Sequence, residues 1–412
     1  MSDLKPGWRR VKFGEVVRLN KETCKDPEAA GINRVIGLEH LEPGDLRVRS
    51  WADVADGTTF SNRVRPGQVL FGKRRAYQRK VAVGDFDAVC SGDIYVLEST
   101  DPKRLLPELL PFICQTEDFF DHAVGTSAGS LSPRTNWSSL ADYEFVLPPL
   151  EEQWRIAVAC DAMKQCEDSL VDLSELSSAV ARSGALAMLG VDTGMPGRSL
   201  VSKINPPDSW KVTTIGSLAI KGEQAVQVGP FGGSLASRHY AHAGAEVLKV
   251  HNIGHDGFID RSKFVHVSHE HASGLTRYIV LLDDVVVVAQ GDTTGRVAIV
   301  RQCDAGALIS QHLIRVRLDA GSVAASWLCA FMRSALFTEQ ASRVMKKSTR
   351  PGLNTSDILE MLIPLPPRSE QEDRAEAIAS LMAMPVQFLA RRNQLLHDRI
   401  SLLNYTLANQ TA

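Results

Sequence analysis

Five cations fall within eight residues at Lys73-Arg74-Arg75-Ala76-Tyr77-Gln78-Arg79-Lys80, directly after an apolar, β-branched stretch. Such density on one loop favours a polyphosphate partner. Each phosphate contact releases counterions, and arginine can also grip guanine in two places. A solvated charged loop would produce the same run without a partner. Two later segments offer related chemistry. Gln227-Val228-Gly229-Pro230-Phe231-Gly232-Gly233-Ser234 has glycines that could let backbone amides approach a phosphate, although a tight turn also accounts for them, and Arg343-Val344-Met345-Lys346-Lys347-Ser348-Thr349-Arg350 is again basic.

Other arrangements fall short of the chemistry they suggest. Gly67 to Arg74 has the Gly-x4-Gly-Lys spacing of a phosphate-binding loop, but arginine replaces the hydroxyl residue that would hold Mg²⁺, and the interior reads as a strand. Asn205-Pro206-Pro207-Asp208 resembles the Asn-Pro-Pro-aromatic signature of amino-group DNA methyltransferases, yet Asp208 cannot stack a flipped base. Eight of the eleven histidines lie between 239 and 312, but His266-x-x-His269-Glu270-His271 lacks the spacing of a zinc hydrolase helix. Gly125-Thr126-Ser127-Ala128-Gly129 has the Gly-x-Ser-x-Gly spacing but no β-branched run before it to form a nucleophile elbow, and no acidic pair followed by lysine points to a nuclease. The chain is expected to hold no metal and to catalyse nothing by itself.

The elements that must position these residues follow from the whole chain. Its 412 residues, 44% hydrophobic, allow a large core and two or three domains. No run of eighteen apolar residues and no signal-peptide core occurs, so no membrane segment and a cytoplasmic location are expected. Seven scattered cysteines, none in a Cys-x-x-Cys pair, argue against a disulfide framework or a zinc ribbon. The net charge of −2 argues against a wholly basic nucleic-acid binder but can hide a basic face.

The chain repeats itself. Trp8 and Gly14 match Trp210 and Gly216, and Gly67 to Phe71 match Asp283 to Val287. Arg79 to Val83 match Gly295 to Ile299, Ser91 to Leu97 match Ser310 to Val316, and Pro133 and Asn136 match Pro351 and Asn354. Each copy closes on Leu-Pro-Pro followed by Glu-Gln, at Leu147 to Gln153 and Leu365 to Gln371. The second copy carries about sixteen extra residues, expected between its opening tryptophan and its central strands. The paired prolines suit the end of a strand and the first turn of a helix.

After each junction the apolar residues recur at alternating steps of three and four. Ile156, Ala159, Met163, Cys166, Leu170, Leu173 and Val180 form one stripe; Met382, Val386, Leu389, Asn393, Leu396, Ile400, Leu403 and Leu407 form the other. These predict two helices of about 25–30 residues, roughly 40–45 Å long, packing antiparallel as a coiled coil that holds two domains apart. Ser369 with Glu372 predicts a capping box, Pro385 a kink, and Asn393 a register-fixing polar seam residue. The resulting fold class is mixed α/β, with a first globular domain at 1–150, a helix at 151–190, a linker at 191–207, a second domain at 208–366 and a second helix at 367–412.

This arrangement resembles the specificity subunit of Type I restriction-modification systems over nearly the whole chain: duplicated Trp-x5-Gly openings, Leu-Pro-Pro closings before long helices, and Gly229-Pro230-Phe231-Gly232-Gly233-Ser234, similar to a Gly-Pro-Phe-Gly-Ser segment of such domains. The first half lacks that last segment. The resemblance implies two target-recognition domains, each reading one half of a split, asymmetric site on double-stranded DNA. It also implies two methyltransferase subunits that dock on the helices and use S-adenosylmethionine to modify adenine, and restriction/motor subunits that consume ATP with Mg²⁺; the chain itself binds no cofactor.

On that reading the DNA-binding residues are Lys73, Arg74, Arg75, Tyr77, Gln78, Arg79 and Arg134 in the first domain. In the second they are Gln227, Ser234, Arg296, Lys346, Lys347 and Arg350. Ile156, Met163, Leu170, Leu173, Leu389, Leu396, Ile400 and Leu403 are expected in the coiled coil and the docking of partners. Three other readings stay open: a self-sufficient methyltransferase or nuclease, a protein-interaction scaffold, and a stand-alone DNA-binding protein of the same duplicated build.

Overall fold

The computed structural model describes residues 4–196, 199–222, 225–345 and 352–408, which divide into two compact units: Met1–Asp172 with Leu389–Ala412, and Leu173–Phe388. Each unit joins its opening strand to its closing one. Arg9–Lys12 pairs antiparallel with Glu144–Leu147, Arg9 opposite Leu147. In the second unit Lys211–Thr214 pairs with Leu362–Leu365 in the same way, Lys211 opposite Leu365. Both closing strands run straight into two prolines, which have no N–H to offer a ladder, and a helix follows at once.

The glycine of each opening motif has a packing reason. A Cβ on Gly14 would lie 2.7 Å from the Ala141 side chain, and one on Gly216 would lie 3.1 Å from the Leu359 carbonyl oxygen. Each glycine lets the opening turn of its unit sit against the short helix that precedes the closing strand.

Between these ends the first unit builds two four-stranded sheets. One orders Val17–Asn20, Ile94–Ser99, Val69–Gly72 and Val81–Val83, all antiparallel. The other orders Ala52–Asp53, Arg34–Ile36, Ala88–Cys90 and Asn62–Val64, with Val35 opposite Val89 in a parallel pair. The second unit repeats the first sheet as Val226–Val228, Leu313–Val316, Val285–Val288 and Val297–Ile299. Its other sheet also holds one parallel pair, Val247 opposite Leu308.

The central strands are apolar on both faces because both faces are covered. Val285 and Val287 enter one core while Val286 and Val288 enter another. Likewise Val69 and Phe71 face one core and Leu70 the other. The Gly-x4-Gly-Lys spacing is therefore a buried strand. The extra length of the second copy is not one block. The offset is 202 between Arg9 and Lys211, 212 between Val35 and Val247, and 216 between Val69 and Val285, so several loops share it.

The Glu-Gln that follows each Leu-Pro-Pro has one role in both units. Gln153 is fully buried: its Oε1 accepts from the Leu106 N–H at 2.9 Å, and its Nε2 donates to the carbonyls of Arg104 and Pro148, each at 2.9 Å. Gln371, also fully buried, accepts from the Ala324 N–H at 2.7 Å and donates to Pro366 at 3.0 Å and Ser322 at 3.4 Å. One amide thus ties the first turn of each long helix to its own unit.

Those helices are Leu150–Met188 and Arg368–Ala408, 39 and 41 residues, longer than the about 25–30 read from the apolar stripes. They pack antiparallel within each unit. In the first, Arg399 pairs with Glu167 and Leu403 joins the core that holds Ala157 and Cys160. In the second, Ser174 donates to the Pro385 carbonyl, the Gly184 backbone faces Leu381, and Ala375 and Ile378 share a core with Ala185 and Leu186.

The spacing of three and four holds, but the phase differs from the apolar stripe. The buried positions of the first helix are Gln153, Ala157, Cys160, Glu167, Ser174, Ser177, Ala181, Ala185 and Leu186, all but the last small or polar. Ile156, Met163 and Leu170 flank this line half-buried, whereas Leu173 and Val180 are exposed. On the second helix Leu403 is buried and Leu396 and Ile400 are half-buried, but Val386 and Leu389 are exposed. Asn393 is exposed too, so it fixes no register; the polar seam residue is Arg399. Ser369 lies inside the first turn rather than capping it, since the helix starts at Arg368, whose guanidinium binds Glu372 at 2.8 Å. Pro385 is carried within the helix.

Arg399 is buried completely, with Nε 2.7 Å from Glu167, Nη1 2.6 Å from the Gln115 amide oxygen and its plane 5.4 Å over the Phe112 ring. The pair holds the end of the second helix to the first unit. Nearby, burial pushes the Cys160 thiol up to about 11. No cysteine is in a disulfide.

Candidate nucleic-acid interface

The basic run Lys73 to Lys80 is the turn between the strands Val69–Gly72 and Val81–Val83. It is a built turn with most of its cations engaged. Ala76–Gln78 form one 3-10 turn, flanked by Arg75 and Arg79, both left-handed at φ 55°. Arg74 and Arg134 share one carboxylate, Asp93, at 3.2 and 2.8 Å. Arg74 and Arg75 also reach the Ser132 hydroxyl, at 3.2 and 3.3 Å. Arg79 is bidentate to Glu117, with its plane over the Phe120 ring.

The Lys73 ammonium lies 4.7 Å from the Tyr95 ring centroid, and Lys80 donates to the Leu38 carbonyl at 2.7 Å. Arg134's hydrogen bond, backed by that of Arg74 and opposed by burial, holds the Asp93 carboxyl below the usual carboxylate value. Arg79 does the same for Glu117. At the tip Tyr77 is 55% exposed, and Gln78 is half-buried. Arg74, Arg75 and Arg134 are thus assembled into one oriented cluster beside an exposed aromatic. The carboxylates that hold these arginines, Asp93 for Arg74 and Arg134 and Glu117 for Arg79, and the Ser132 hydroxyl were not among the residues singled out in the sequence, because each is far away along the chain.

The second unit reproduces the backbone here and changes the side chains. In the first unit the Lys73 N–H donates to the Asp93 carbonyl, and the Thr135 N–H to the Lys73 carbonyl; in the second, the Ala289 N–H donates to the His312 carbonyl and the Leu353 N–H to the Ala289 carbonyl. Arg75 and Arg79 correspond to Gly291 at φ 108° and Gly295 at φ 90°. The third left-handed non-glycine residue, Asp283 at φ 64°, corresponds to Gly67 at φ 87°. A left-handed residue with a side chain costs about 1–2 kcal/mol that glycine avoids. The first unit therefore keeps arginine at two turn positions where the same backbone is available at lower cost with glycine.

Other sequence candidates in the second unit are spread out. Gln227 is nearly buried, and its Oε1 accepts from Arg277 at 3.0 Å. The Ser234 carbonyl accepts from His271, whose ring stacks on His239 at 4.3 Å. Arg296 ends the turn half-buried. Among the described residues no hydrogen bond or ion pair joins these three. Lys346, Lys347 and Arg350 lie outside the described residues. The glycine-rich segment packs tightly: a Cβ on Gly229 would meet the Ser310 carbonyl oxygen at 2.0 Å. That contact brings the segment beside Gln311 and His312 along a groove of about 410 Å³. Among the described residues, no group of three His, Cys, Asp or Glu side chains is placed to hold a metal ion, and no helix is long and apolar enough to cross a membrane.

No family model matches the chain. It is similar to the Type I restriction enzyme EcoDI specificity subunit of Escherichia coli, 28% identical over 159 residues, 34% of each protein. It is also similar to the Type I restriction enzyme MjaVIII specificity subunit of Methanocaldococcus jannaschii, 21% identical over 258 residues, 61% of this chain and 58% of the relative. The matches thus span about a third and somewhat over half of these relatives. In structure the chain resembles the S subunit of a Type I restriction-modification system from M. genitalium, with a TM-score of 0.59, 14% identity and coverage of 98% and 96%. It also resembles a chain from a study of assembly and conformational transition in the type I R-M system, with a TM-score of 0.56, 17% identity and 98% of both chains covered. The resemblance read from the duplicated motifs is therefore shared by sequence relatives over part of the chain and by solved structures of this fold over nearly all of it.

Proposed function

We propose that this chain is the DNA-recognition subunit of a Type I restriction-modification complex, each unit reading one half of a bipartite, asymmetric target. The observation that carries the reading is the duplicated turn. One backbone, held by matching hydrogen bonds, presents Arg74, Arg75, Tyr77, Arg79 and Arg134 in one unit and Gln290, Gly291, Thr293, Gly295 and Gly352 in the other. A shared frame with unlike side chains suits two different half-sites. Arginines anchored on Asp93 are pre-oriented for phosphate or guanine, and Tyr77 offers a stacking face.

Catalysis belongs to the partners in this reading. Two methyltransferase subunits use S-adenosylmethionine on adenine, restriction/motor subunits use ATP and Mg²⁺, and this chain binds none of these cofactors. The exposed apolar side chains of the long helices support docking of partners: Trp154 and Val158 in the first unit, and Leu176, Val180 and Val386 in the second. Trp154 and Val158 border a groove of about 860 Å³ in the first unit that also takes in Leu106, Pro111 and Phe112. The test is co-expression with the neighbouring methyltransferase. The pair is expected to methylate adenines in a split motif, and the purified chain with S-adenosylmethionine to methylate nothing. Methylation by the chain alone contradicts the reading.

A further inference from the structure

The Arg74–Asp93–Arg134 cluster has a structural counterpart with neither an arginine nor a carboxylate. Matching backbone hydrogen bonds set Lys73, Asp93 and Thr135 against Ala289, His312 and Leu353. Arg74 therefore corresponds to Gln290, Asp93 to His312, and Arg134 to Gly352. The glycine matters. A Cβ at Gly352 would come within 3.0 Å of the Gln290 side chain, so the space filled by Arg134 in one unit is left to Gln290 in the other.

Gln290 and Gln311 are both exposed. The Gln311 amide lies 2.8 Å from His312 Nε2, so the imidazole holds that side chain in place by a hydrogen bond. Gln311 and His312 line the groove with Pro230, Gly232, Lys249 and His251, and Lys249 stacks over the Tyr240 ring at 4.4 Å. The glycine-rich segment and the strand end thus meet at one open site beside a lysine, with the exposed Gln311 amide available; Gln290 follows Ala289, whose N–H donates to the His312 carbonyl at that strand end.

We propose, resting on the recognition reading above, that Gln290 and Gln311 are the base-reading residues of the second unit, with His312 positioning Gln311, and that they read adenine. A carboxamide pairs with adenine N6 and N7 in the major groove, whereas a guanidinium pairs with guanine O6 and N7. The two units therefore differ in kind: the first reads guanine through Arg74 or Arg134, and the second reads adenine through neutral amides. Neither glutamine lies in a core, so both can be replaced without a packing penalty.

The experiment co-expresses the full chain, with its methyltransferase partner, as wild type, Gln290→Ala, Gln311→Ala, Gln290→Arg and His312→Phe, and reads the methylated adenines across the host genome. Each alanine variant should relax one adenine position of one half-site by roughly 10- to 100-fold in discrimination, adding methylated sites while the other half-site stays unchanged. Gln290→Arg should move that position toward guanine, and His312→Phe should relax the Gln311 position only. New sites cannot arise from misfolding. An unchanged motif in both alanine variants overturns the inference, as does uniform loss across all sites with unaltered melting, the signature of a phosphate contact. A wild type that yields no split motif instead overturns the recognition reading itself.

Discussion

Replacing Gln153 with leucine tests whether the junction glutamine is what fastens each long helix to its unit. Leucine nearly conserves the volume, so no large cavity opens. What remains is the Leu106 N–H without its 2.9 Å acceptor and the carbonyls of Arg104 and Pro148 without their donor, at a site where Gln153 is fully buried. An orphaned buried donor costs about 1–3 kcal/mol, and carbonyls that lose one partner cost somewhat less. The expected loss is therefore about 2–4 kcal/mol, a large share of a typical stability of about 5–15 kcal/mol. Gln371→Leu removes the matching bonds to Ala324, Ser322 and Pro366 and should cost a similar amount in the second unit.

Urea denaturation gives the global number, and native-state hydrogen exchange gives the local one. In Gln153→Leu the Leu106 amide should exchange many-fold faster while the Ala324 amide keeps its protection, and in Gln371→Leu the reverse should hold. A loss below about 1 kcal/mol in both variants, or equal deprotection of both amides in either, refutes the reasoning.

Three further outcomes are expected. Arg399→Met leaves Glu167 buried without its partner and should destabilise by about 3–5 kcal/mol in a thermal melt, whereas Arg399→Met combined with Glu167→Leu should recover most of that. Arg75→Gly relieves a left-handed side chain, so the melting temperature should hold or rise while DNA affinity of the assembled complex falls and its salt dependence flattens; a steep drop in melting would show the arginine to be structural. The Asp93 carboxyl has a depressed pKa, so the stability it lends is present above its unfolded value of about 3.9 and disappears as pH falls through the lower folded value; protection of the Lys73 amide, which donates to the Asp93 carbonyl, should drop only below about pH 4, and in Asp93→Asn that pH step should vanish.

The parts of the fold legible in the sequence are those that depend on residue type at a fixed place. Leu-Pro-Pro-x-x-x-Gln repeats because the paired prolines offer no N–H to carry the ladder on and suit the first turn of the helix, and because a carboxamide both accepts from Leu106 or Ala324 and donates to the carbonyl of the first proline. The period of the long helices was legible too, but not its phase. Counting apolar residues selects Leu173 and Val180, whereas the packed line runs through Ala157, Cys160, Ser174 and Ala181, where small size rather than hydrophobicity allows close approach. The basic turn was visible as charge. That Asp93 and Glu117 hold Arg74, Arg134 and Arg79, or that Gly291 and Gly295 stand where arginine bends backward, required the fold to bring distant residues together.

The central claim is that each unit reads its own half of a split target. The most direct measurement is the adenine-methylation motif of the chain co-expressed with its methyltransferase, compared with that of a variant carrying Arg74→Ala and Arg134→Ala in the first unit alone. The account predicts a two-part motif whose one half is relaxed in the variant while the other half and the spacing between them are unchanged. A continuous motif, or relaxation of both halves together, contradicts it.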